Sequence, residues 1–160
     1  MLDCSKVDPV LHDRWAQGEC PLIDGIHYAD GTVILFECRA LRGHATTEMS
    51  LRPLAVSSLD SALTLNPHLW WASLTTLAEI ESPTSQVAAV CGEGSSGGDG
   101  FVALLCGAER RLGWVAFFQS SNPFVAIAFE DGDAPAVVAR SSYGHVWIFP
   151  VERPETVLIR

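Results

Sequence analysis

From Gln86 onward the chain is a series of short apolar runs broken by brief polar turns. The runs are Gln86–Cys91, Phe101–Cys106, Gly113–Gln119, Phe124–Glu130, Ala136–Arg140, His145–Phe149 and Thr156–Ile159. The separators are a Gly-rich loop, AERR, SSNP, DGDAP, SSYG and VERP. None is long enough to hold a crossover helix, which parallel strands would need. Successive strands are therefore expected to pair antiparallel, as a meander. In FVAIAFE, Val125, Ile127 and Phe129 alternate with Ala126 and Ala128. One face of this strand is thus bulky and the other thin.

Residues 1–82 read differently. The segment TVILFEC, Thr32–Cys38, is rich in β-branched and aromatic side chains and follows the turn signal ADG, so it predicts a strand. Leu54–Leu65 is loosely periodic and is expected to be helical. In NPHLWWASLTTLAEIES, Asn66 can cap a helix and Pro67 suits its first position. Trp70, Leu74, Leu77 and Ile80 follow at spacings of four, three and three, and Pro83 closes the segment. This predicts a helix whose Trp70 stripe covers the bulky face of the sheet. The expected architecture is one α+β domain over residues 1–160. It has a mixed half, 1–82, and an all-strand, meander-rich antiparallel half, 85–160, with one or two helices packed on one face.

CGEGSSGGDGF, Cys91–Phe101, satisfies two motifs at once. GEGSSG fits a dinucleotide loop, but that loop needs a helix after it and an acid about twenty residues on. Downstream of the glycines lie the β-biased FVALLCG and then WVAFFQSS. GSSGG fits a hydrolase nucleophile elbow, with Ser96, then Asp131 or Asp133, then His145 in α/β-hydrolase order. That elbow requires a strand-to-helix turn in a parallel sheet, which the surrounding runs argue against. The plain reading is a flexible hairpin loop, its glycines easing positive φ and Glu93 and Asp99 keeping it solvated.

Composition narrows the function classes. The 160 residues are 48% apolar, enough for a core without disulfides. The net charge is −9, with Lys6 the one lysine beside nine arginines in no stripe, so a nucleic-acid footprint is not expected. The five cysteines, Cys4, Cys20, Cys38, Cys91 and Cys106, are odd in number and form no C-x-x-C. They read as reduced thiols of a cytoplasmic protein. The opening MLDCSKVDPVLHDRW does not look like a signal peptide, and no apolar run is long enough to span a membrane. Cys20 with His27 and Cys38 with His44 are too loosely spaced for metal ligands, so no metal or cofactor is expected. Cys38 with His145 would make a thiol nucleophile pair, but Cys38 ends an apolar strand, where an inert thiol is the expectation.

Two features suit partner binding instead. Trp70 and Trp71 are adjacent, so one helix face cannot bury both, and Trp71 is expected to be the exposed anchor. Glu130, Asp131 and Asp133 form an acidic hairpin tip, EDGD. If that tip shared one sheet end with Glu93 and Asp99, together they would form a negative rim for a basic partner.

The stretch GWVAFFQSSNPFVAIAF, the EDGD turn and ARSSYGHVWIFP resemble the C-terminal halves of small bacterial immunity proteins encoded beside polymorphic toxins. The resemblance covers under a third of the chain. It implies a non-enzymatic, intracellular inhibitor that occludes the active site of one cognate toxin domain, with no nucleic acid or membrane partner. The partner would present a basic surface to this acidic chain. The alternatives are a small serine hydrolase using Ser96 and His145, and a secretion chaperone. Against the chaperone stands VERPETVLIR, which reads as a closing strand rather than a terminal helix.

Overall fold

Two consecutive strands carry apolar side chains on both faces. β8 (Gly100–Cys106) reads GFVALLC and β9 (Arg111–Phe118) reads RLGWVAFF, and the two pair antiparallel. Val102, Leu104, Trp114, Ala116 and Phe118 point into one buried cluster. Phe101, Ala103, Leu105, Val115 and Phe117 point into another. A strand buried on both faces reads as a continuous apolar run. Five further strands extend this pair into a sheet, and the helices, a two-stranded ribbon and a second sheet cover its two faces.

The computed structural model describes residues 2–42 and 47–160. It is mostly antiparallel β-sheet with two short α-helices. The remaining elements are α1 (Pro9–Ala16), β1 (Glu19–Pro21), β2 (Gly25–Tyr28), β3 (Thr32–Arg42), β4 (Thr47–Ser58), α2 (Leu59–Leu65), β5 (Trp71–Ser73), β6 (Thr75–Glu81), β7 (Val87–Glu93), β10 (Phe124–Glu130), β11 (Ala136–Ser141), β12 (Val146–Pro150) and β13 (Leu158–Ile159). Seven strands form the main sheet, in the order β4-β3-β2-β9-β8-β7-β6. A second sheet, β10-β11-β12-β13, packs Phe124, Val137, Ala139, Trp147 and Phe149 onto its first face. On the opposite face, Leu11 of α1, Leu59 of α2, Cys20 of β1 and Ala72 of β5 share the cluster built on Phe101 and Phe117. β1 and β5 pair as a two-stranded ribbon.

The antiparallel hairpins expected after residue 85 are present, but they divide between two sheets at the β9–β10 turn. The chain closes on a strand, β13, paired with β12. Phe124–Glu130 is a strand, yet its alternation is interrupted. A register shift between Phe124 and Ala126 turns Val125 outward, 43% exposed, while Ile127 and Phe129 pack on the core.

The helix expected over 66–81 does not form. Asn66 closes α2 as its C-cap instead of opening a new helix. The residues beyond it become β5, paired with β1, and β6, paired with β7. Along β6, Ala78 and Ile80 turn inward while Glu79 and Glu81 turn out, the two-residue period of an edge strand. A register shift between Thr76 and Ala78 leaves Leu77 45% exposed, so the 3.6-residue spacing of Trp70, Leu74 and Leu77 was fortuitous. The helix expected from Leu54 is shorter, because Leu54–Ser58 continue β4. It starts at Leu59, where the Ser58 hydroxyl accepts from Ser61 N–H at 3.1 Å.

Within the main sheet, His27 of β2 is buried, with Nε2 2.9 Å from the Ile23 carbonyl oxygen. Burial lowers its pKa from 6.5 to about 4, and the Ile23 carbonyl opposes this only in part. The native state keeps the ring neutral, and the unfolded chain takes up the proton first. The stabilisation is full above pH 6.5 and is lost as pH falls towards 4, about 3 kcal/mol in all. Urea unfolding between pH 7 and 4 should show a steeper acid decline for the wild type than for His27→Gln.

Candidate functional site

The loops gather at two opposite ends of the sandwich. At one end lie the β7–β8 loop, the β9–β10 turn and the β11–β12 turn. They are joined by Asn122 N–H donating to Gly98 O at 2.9 Å and Ser142 N–H donating to Pro123 O at 2.8 Å. At the other end lie the β6–β7 and β8–β9 connections, linked by Gly107 N–H donating to Gln86 O at 2.7 Å. The β10–β11 tip joins them there, its Asp131 Oδ1 accepting from Thr84 Oγ1 at 3.1 Å. Seven-residue β7 separates the two ends by roughly 20 Å at about 3.3 Å per residue.

This division decides the hydrolase elbow. Ser96 sits in the β7–β8 loop and His145 in the β11–β12 turn, at the same end. Asp131 and Asp133 sit on the β10–β11 tip, at the far end of both β7 and β11. The ordered triple Ser96, Asp131, His145 is therefore not a spatial triad. Cys38 does not supply a thiolate either. Burial first, and the charge of Asp24 second, push its thiol up to about 12. His44 lies outside the described residues. Cys20 and His27 are both buried, and burial also raises the Cys20 thiol, with Asp99 adding to the effect.

The Gly-rich loop is a hairpin connection, as its plain reading holds, but Asp99 is not part of a solvated surface. It is 1% exposed, and its Oδ2 accepts from Ser96 N–H at 3.4 Å. Gly94 explains how the carboxylate fits inside the turn. A Cβ at Gly94 would stand 2.2 Å from Asp99 Oδ2. Gly98 meets nothing nearer than Gln119 O at 3.8 Å. Gly94→Ala should therefore cost about 1–3 kcal/mol in a denaturant melt, and Gly98→Ala clearly less.

The expected acidic rim is likewise split. Glu93 and Asp99 belong to the Gly-loop end. Glu130, Asp131 and Asp133 are exposed at the other, with Glu109 and Glu152. The tryptophans exchange their expected roles. Trp71 is half-buried beneath Arg14, whose Cζ lies 4.9 Å from the ring centroid. Trp70 is 76% exposed. Its carbonyl accepts from Leu22 N–H at 3.0 Å, which fixes the backbone that presents it. Strand β1 runs directly into Leu22, so Trp70 also stands at the Gly-loop end, remote from the EDGD tip.

The far end holds a feature that the sequence did not disclose. A cleft of about 630 Å³ opens between the sheets. Leu2, Val87, Phe129, Pro135 and Val151 supply its apolar surface, and Ser82, Thr84, Ser85, Gln86, Asp131 and Glu152 its polar surface. The Cys4–Cys106 disulfide forms part of the wall. This corrects the expectation of five reduced thiols and removes the cysteine argument for a cytoplasmic protein. Cys20, Cys38 and Cys91 are free and buried. The cross-link spans 102 residues and ties the N-terminal segment to β8. Cys4→Ser should lower unfolding stability by about 2–4 kcal/mol, and reduction of the wild type should reproduce that loss without adding to it in the variant.

Among the described residues no helix is long and apolar enough to cross a membrane. Compared with protein-family models, curated proteins and solved structures, the chain matches none.

Proposed function

We propose that this chain is a non-enzymatic protein-binding module, an immunity protein that occludes the active site of a cognate toxin domain. Trp70 carries the reading. It is a large aromatic exposed just ahead of the β1–β5 ribbon, the kind of side chain that dominates interface energy when a partner desolvates it. Leu65, at the end of α2, is a second exposed large apolar side chain. The net charge of −9 favours encounter with a basic partner surface. Because Glu130, Asp131 and Asp133 stand at the opposite end, they act through long-range steering and not as a frame around the anchor. The disulfide suits an oxidising compartment better than the cytoplasm, and the reading does not depend on which compartment holds the chain.

Tagged protein used as bait in native cells should capture one near-stoichiometric partner that is lethal when expressed alone. With that partner purified, Trp70→Ala should weaken the complex by about 2 kcal/mol or more, chiefly through faster dissociation. Co-expressed Trp70→Ala should also fail to protect cells. Charge reversal at Glu130, Asp131 and Asp133 should slow association and flatten its salt dependence, with little change in dissociation. An unchanged complex with Trp70→Ala would remove this surface. If no partner is captured and a fluorophosphonate probe labels Ser96, the hydrolase reading takes its place.

A further inference from the structure

We propose that the cleft between the sheets, at the end opposite Trp70, is a binding site for a small amphiphilic cation, an alkyl or aryl body carrying an ammonium-type head. Its volume, about 630 Å³, lies within the range of small-molecule sites. Its body is apolar, with Phe129 of the second sheet and Pro135 of the β10–β11 tip opposite Val87 of the main sheet. Leu2 closes one side, and two structural devices hold it there. The disulfide fastens Cys4 to Cys106. Gly113 leaves the space beneath, since a Cβ there would stand 2.9 Å from Leu2 Cδ2 and 3.0 Å from Cys106 Sγ. The wall is thus built into the fold.

Charge selects the head group. Asp131 lines the cleft, together with Glu152, and none of the described lining residues is Lys, Arg or His. Glu130 and Asp133 flank Asp131 on the exposed tip. The hydrogen bond from Thr84 fixes the Asp131 carboxylate across the mouth, between the β6–β7 loop and the tip. The head of an anion would meet the Asp131 carboxylate. A cation leaves its head at the Asp131 mouth while its apolar body displaces water from Phe129, Val87 and Leu2.

The probes are straight-chain alkylammonium ions from butyl to decyl, titrated calorimetrically below their micellar concentrations, with alkyl carboxylates of the same lengths as controls. Affinity should rise about threefold to fourfold for each added methylene until the cleft is filled. Octanoate should bind far more weakly than octylammonium. Asp131→Asn should weaken octylammonium about threefold to fivefold. Ser85→Trp, at an exposed lining position, should abolish binding, and Gln86→Trp serves if that variant does not fold. Trp70→Ala should bind octylammonium as the wild type does, which separates this site from the protein interface. Equal binding of octanoate and octylammonium would overturn the charge assignment. Undiminished binding by a folded tryptophan variant would overturn the site.

Discussion

The structure depends on β8 and β9 being buried on both faces. Phe101, Ala103, Leu105, Val115 and Phe117 face the helices and the β1–β5 ribbon, while Val102, Leu104, Trp114 and Phe118 face the second sheet. Each buried apolar side chain contributes roughly 1.5–3 kcal/mol relative to exposure, so this pair anchors two cores at once. It also fixes where the loops fall. A strand pair with no free face offers functional chemistry only at its ends, and both candidate sites of this chain lie at strand ends.

The strand-rich half was legible because its signal is local. Short apolar runs with short separators permit little except antiparallel hairpins, and Phe124–Glu130 appears with the bounds its sequence implies. The division into two sheets was not legible. The SSNP turn joins β9 to β10 much as AERR joins β8 to β9, and what separates them is long-range packing of Trp147 on Phe118 and Phe124, with ring centroids 5.1 and 5.3 Å away. The 66–81 segment misled for a related reason. Its apolar spacing suits a helix, but Ala78 and Ile80 alternating with Glu79 and Glu81 suits an edge strand equally. Pairing with β7 decided between them, and such pairing leaves no mark within the segment itself. α1 gave little signal because Leu11 is its one buried residue.

The sites were legible in proportion to how local they are. A pair of adjacent tryptophans announces that one must be exposed, and that held although the supposed helix did not. Which of them is exposed depended on Arg14, more than fifty residues away, which covers Trp71. Asp99 read as a solvated loop acid, and its burial rests on Gly94 leaving room for its carboxylate. The cleft draws its walls from Leu2 and Cys4, from Ser82 and Thr84–Val87, from Cys106 and Gly107, from Phe129, Asp131, Gly132 and Pro135, and from Val151 and Glu152. No window of sequence contains them, and the cross-link that fixes one wall joins residues 102 apart.

The separation of the two ends has an energetic consequence. Trp70 is held by the β1–β5 ribbon on one face of the main sheet, and the cleft lies between the two sheets beyond the far end of β7. Groups that far apart, with no shared partner, contribute to stability and binding additively to within a few tenths of a kcal/mol. The charge pattern reinforces this independence. The acids gathered at the cleft end raise the local concentration of cations there and steer an approaching basic protein at low ionic strength, while at physiological salt screening over about 8 Å confines their effect to that end. The exposed aromatic and the acid-lined cleft thus stand on different elements, and neither constrains the other.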